Sequence, residues 1–155
     1  MFCVTVVQGQ DGWAVTYTST EICVFRGSTV EISCTYTYPP IWKYHGITVE
    51  KTFWFTKQKG GEPVDLTTVS EYAGRVEDLC VNNICTLRIR NLRESDSAVY
   101  MFRFETNHED GIYNGLLGVT LSVPGKKLIH VLITFYKEYC LDINMLICIY
   151  AVSLV

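Results

Sequence analysis

One arginine set in an otherwise apolar strand carries the clearest chemical signal in this 155-residue chain. The segment Ala98-Val99-Tyr100-Met101-Phe102-Arg103-Phe104-Glu105 alternates, so Tyr100, Phe102 and Phe104 share one face and Met101, Arg103 and Glu105 the other. With Tyr100 turned to a core, Arg103 projects from the opposite face of its sheet. A planar guanidinium there forms two parallel charge-assisted bonds to a carboxylate, a fork that lysine does not copy. Catalytic chemistry is poorly served by comparison. His45, His108 and His130 are scattered with no serine or cysteine partner in a recognisable motif, and no glycine-rich phosphate loop occurs. The cysteines lack zinc-ligand spacing. The expectation is a binding protein, with no enzymatic activity, no metal and no cofactor.

Composition narrows the partners. A net charge of −3 with no lysine- or arginine-rich run excludes the electrostatic footprint of a nucleic-acid binder. Seven cysteines in a chain this short are many for the cytosol, so an oxidising, secretory setting is expected.

The elements that must position Arg103 read as short strands parted by turn residues, with no helical period between residues 13 and 123. Val30, Ile32 and Cys34 alternate with Thr29, Glu31, Ser33 and Thr35; Cys85, Leu87 and Ile89 alternate with Thr86, Arg88 and Arg90. Gly27 supplies a turn before the first of these strands, and Asn82-Asn83 one before the second. Trp54 centres an aromatic strand over residues 51–56, followed by a polar hairpin at Lys59-Gly60-Gly61, a strand from Gly74, and a closing strand over residues 116–123. This order predicts an all-β sandwich of the variable immunoglobulin type, or V-set, over residues 13–123. Tyr100 then stands as the corner tyrosine of strand F, but Phe102 replaces the cysteine that normally follows it two residues later. Arg75 and Asp96 are placed for an ion pair at one end of the domain, worth about 0–1 kcal/mol if exposed.

Within such a sandwich, Cys34 and Cys85 share parity with the core aliphatics, which favours a disulfide between strands B and E of one sheet. Pairing of Cys80 with Cys85 across the Asn82-Asn83 turn is the competing arrangement. Phe102 would fill the volume of the missing sulfur.

These departures resemble a family: the N-terminal V-set domain of the siglecs, the sialic-acid-binding immunoglobulin-like lectins. The likeness rests on Ser33-Cys34-Thr35-Tyr36-Thr37-Tyr38-Pro39, Phe53-Trp54-Phe55, Cys85-Thr86-Leu87-Arg88-Ile89, the stretch over residues 96–105, and the long step from Cys34 to Trp54. In that family the arginine after the F-strand phenylalanine pairs with the sialic acid carboxylate, which the resemblance carries onto Arg103. It likewise implies that Trp13 packs on the N-acetyl group and that Tyr113 meets the glycerol chain. The cysteine joining a siglec's first domain to its second has no counterpart over residues 29–32; Cys23 lies earlier. The implied function is a cell-surface or secreted lectin binding terminal sialic acid on glycoproteins or glycolipids. The alternative is a protein-binding adhesion or receptor module using the same open sheet, where Phe53 and Phe55 would lie beside Arg103.

The chain ends are less informative. Residues 1–9 hold a short apolar run, Phe2 to Val7, and Val7-Gln8-Gly9 at signal-cleavage spacing, which reads as part of a signal peptide, with a first strand as the alternative. Residues 124–155 form a partly apolar tail in which Lys137, Glu138 and Asp142 interrupt any membrane span, leaving membrane association open. The expected location is the extracellular side of the plasma membrane, or outside the cell.

Overall fold

Alternation becomes burial along β3 (Val30–Thr37), where Val30, Ile32, Cys34 and Tyr36 are buried while Glu31, Thr35 and Thr37 face solvent. The computed structural model describes residues 12–56 and 61–125. Among them there is no α-helix, and the regular structure is strands and short 3-10 turns. Besides β3 the strands are β1 (Ala14–Tyr17), β2 (Glu21–Cys23), β4 (Ile41–Trp42), β5 (His45–Gly46), β6 (Val49–Thr56), β7 (Val76–Val81), β8 (Ile84–Ile89), β9 (Ala98–Thr106), β10 (Ile112–Asn114) and β11 (Val119–Ser122). Residues 1–9, the Lys59-Gly60 half of the expected hairpin and residues 126–155 lie outside the described part.

Two main sheets result. One has the order β1-β3-β8-β7, antiparallel throughout. In the other, β9 pairs with β6 on one side and with β10 and β11 on the other, and β2 runs parallel to β11. The expected closing strand over residues 116–123 is β11, and the chain adds β10 before it, parted from β11 where Leu117 and Gly118 take positive φ of 69° and 70°. A Cβ on Gly118 would lie 2.5 Å from the Tyr100 carbonyl oxygen, so only glycine fits that crossing. The inner faces of both sheets share one core, an arrangement compatible with a β-sandwich. Phe102 lies fully buried there, stacked on Tyr36 at 5.6 Å and edge-on to Trp54 at 5.3 Å. Burying side chains of this size contributes roughly 1.5–3 kcal/mol each.

The end of the fold beneath Tyr100 is tied by polar groups. The Tyr100 hydroxyl donates to the Asp96 carbonyl at 2.7 Å and contacts the Tyr72 hydroxyl at 2.9 Å. Arg75 holds the Asp96 carboxylate with both terminal amines, at 2.8 and 2.9 Å. This pair is not the exposed one considered from the sequence, since the two side chains are only 9% and 3% accessible.

The disulfide differs from the favoured pairing of Cys34 with Cys85. Cys85 is bonded to Cys80, and Cys34 keeps a free, buried thiol. Cys85 stands directly opposite Cys34 on β3 and directly opposite Cys80 on β7. A cysteine therefore stands opposite Cys85 on either side, and the inward parity of Cys85 cannot select between them. Asn82 and Asn83, both at positive φ (50° and 63°), fold the tight hairpin that sets Cys80 against Cys85.

Candidate functional site

The two sheets carry different outer faces. On the β3–β8–β7 sheet, Arg88 pairs with Glu31 and Glu77, and Arg90 with Glu77, all about half exposed. Such a solvated ladder is self-neutralising and offers little to a ligand. On the other sheet, Arg103 of β9 stands between Phe53 of β6 and Asn114 of β10 in one cross-strand row. Phe55 stands opposite Met101, and Lys51 opposite Glu105, in the neighbouring rows.

Around Arg103 the geometry is specific. Its Nε donates to Glu105 Oε1 at 2.8 Å, and its guanidinium carbon lies 5.7 Å from the Phe53 ring centroid. Lys51 Nζ sits 4.5 Å from the same ring. Phe53 thus receives two cations, each attracted to the ring's negative face. Among the described residues, Glu105 is the sole hydrogen-bond partner of the Arg103 guanidinium. The Nη1/Nη2 edge is left as the fork that matches a carboxylate. Two cations against one carboxylate give the cluster a net positive charge suited to an anion.

This face is not open in the way the sequence implies. The Arg103 side chain is 14% accessible, and Phe53 and Phe55 are buried at 3% and 6%. A largely covered guanidinium interacts more strongly with a carboxylate than an exposed one does, because water screens it less. Access, in turn, is confined to ligands that reach its Nη edge.

Trp13 and Tyr113 are not brought to Arg103. Trp13 is buried, stacked on Phe104 at 5.9 Å and edge-on to Trp42 at 6.1 Å. Tyr113 is opposite Phe104 in the β9–β10 ladder and stacks on it at 5.6 Å. Both rings therefore sit against the inner side of β9, where Phe104 points, while Arg103 points outward. Their part is to clamp Phe104, the immediate neighbour of Arg103. Lys51 and Asn114 join the site unexpectedly. Lys51 shares strand parity with Phe53 and was readable from alternation, whereas Asn114 depends on a β9–β10 register set by the turn at Gly111.

A hollow of about 450 Å³ lies at the loop end, lined by His45, Gly46, Asn107, His108 and Glu109. The two imidazoles are 6.0 Å apart between centroids, and Lys43 pairs with Asp110 beside them, holding that carboxyl below its usual range. Among the described residues no three ligating side chains converge to hold a metal.

No protein-family model matches the chain, and no curated protein matches it at a significant level.

Proposed function

We propose that residues 13–123 form a variable-type immunoglobulin domain of the siglec kind, which binds terminal sialic acid on glycoproteins or glycolipids at an extracellular surface. The strand order supports the domain type: β1, β3, β8 and β7 correspond to A, B, E and D, and β6, β9 and the β10–β11 pair to C, F and G. The Tyr100 hydroxyl bonded to the Asp96 carbonyl four residues upstream supports it too, as the tyrosine corner of such domains. One observation carries the ligand reading: Arg103 lies on the outer face with its Nε held by Glu105 and its Nη edge without a hydrogen-bond partner among the described residues.

In this reading the carboxylate of the sugar docks on Nη1 and Nη2, while Glu105 and Phe53 fix the guanidinium plane. Trp13 serves as core support in place of a sugar contact. With one charged anchor, single-site affinity is about millimolar, near −4 kcal/mol, so clustering on both surfaces supplies useful binding. Sialidase treatment of target cells tests this. Binding of the clustered chain is lost from treated cells if the ligand is sialic acid.

The low accessibility of Arg103 favours one other reading, a protein-binding module in which Arg103 and its neighbours form part of an interface. Sialidase then leaves binding unchanged.

A further inference from the structure

Three cysteines stand in one row across three adjacent strands: Cys34 on β3, Cys85 on β8 and Cys80 on β7, with Cys85 in register with both of the others. Directly opposed residues of an antiparallel pair have Cα atoms about 4.5–5.5 Å apart. The Cys34–Cys85 pair therefore falls inside the roughly 4.4–6.8 Å a disulfide usually spans, and Cys80 and Cys85 are already bonded at a Cα separation of 4.1 Å. Cys85 can therefore be bridged to either neighbour without moving a strand. We infer that Cys34, Cys85 and Cys80 form an internal thiol–disulfide exchange site, in which the bond to Cys85 passes between Cys80 and Cys34.

The step balances within the chain. Cys34 loses its proton, and its thiolate attacks Cys85 Sγ from the side away from Cys80. The Cys34–Cys85 bond forms as the Cys80–Cys85 bond breaks, and Cys80 leaves as a thiolate that takes up a proton. One thiol and one disulfide are present before and after, so no external oxidant or reductant is needed. The row supplies the approach line, because attacker, central sulfur and leaving group come from consecutive strands.

The two states differ in what they present. Cys34 is fully buried, whereas Cys80 is exposed on β7, the edge strand of its sheet. Exchange therefore turns a hidden thiol into an accessible one. Burial pushes the Cys34 thiol well up from its ordinary range, with the Asp78 charge adding to this and a hydrogen bond to the Cys85 backbone opposing it. The reaction is accordingly slow, and Cys80 is the thiol that a solution reagent meets. None of this depends on the lectin reading.

The test is a kinetic trap on the full chain in its native state, at mildly alkaline pH with N-ethylmaleimide present throughout. Samples are unfolded at intervals and their cysteine linkages mapped by mass spectrometry. The expected result is a progressive rise of chains carrying alkylated Cys80 together with a Cys34–Cys85 bond, at a rate independent of protein concentration. Cys34→Ser slows Cys80 alkylation by roughly tenfold or more, because the attacking thiolate is gone. Mapping of the unsubstituted chain decides the matter even if that variant folds poorly. An unchanging Cys80–Cys85 linkage overturns the inference, as does release of Cys80 with Cys85 bonded to any cysteine other than Cys34.

Discussion

Replacing Asp96 with alanine separates two views of the Arg75–Asp96 pair that differ severalfold in energy. An exposed pair contributes about 0–1 kcal/mol. Here both side chains are buried, and the carboxylate accepts from both terminal amines of Arg75 and from the Arg93 backbone N–H at 2.8 Å. Removing it strands a buried guanidinium, a change that typically costs about 3–5 kcal/mol. Arg75 keeps weaker support from the carbonyls of Glu71, Arg90 and Asn91, at 2.9, 3.3 and 3.3 Å, which sets the loss near the lower end. A loss of about 3 kcal/mol lowers the melting temperature by roughly 10–20 °C in a domain of this size. Urea unfolding followed by tryptophan fluorescence, beside a thermal melt, measures it. Replacing both Arg75 and Asp96 with apolar residues should recover much of the loss, since neither charge is then left unpaired. An Asp96→Ala variant within 1 kcal/mol of the parent refutes the reasoning.

Tyr100→Phe deletes the donor to the Asp96 carbonyl and leaves Tyr72 without its partner, and should cost about 1–2 kcal/mol in urea unfolding with the fold retained. Asp78 carries a pH signature: burial, then the Asp65 charge, push its carboxyl up to about 6, against a partial downward pull from the Trp54 indole. The folded state then binds more protons than the unfolded between about pH 4 and 6, so this group favours folding as pH falls through 6 and disfavours it above. Asp78→Asn should therefore stabilise the protein at neutral pH, by about 1 kcal/mol once its partial exposure is discounted, and flatten that stretch of the stability–pH curve.

What could be read from the chain was whatever strand alternation alone decides. The inward sets of β3 and β8, the burial of Phe102 and the outward turn of Arg103 follow from period-two patterning. Patterns of this kind name a face and are silent on a neighbour. Cys85 has a cysteine directly opposite on either side, buried Cys34 and exposed Cys80, and only the strand order and register reveal the tie. Trp13 precedes β1 and could have lain on either surface of the sheet edge; its stacking on Phe104 is a tertiary choice invisible in Gly12-Trp13-Ala14. Phe53 and Phe55 are outward by parity yet buried, because parity orients a side chain and says nothing of what covers it.

The most direct test of the central claim is a sialoglycan array probed with the clustered full chain and its Arg103→Ala and Arg103→Lys variants. The account predicts signal confined to sialylated glycans and abolished in the alanine variant. It also predicts a strong loss in the lysine variant, because a point charge lacks the two-pronged fork. Sialoglycan binding that survives Arg103→Ala in a folded chain contradicts it, as does a folded parent that binds no sialylated glycan.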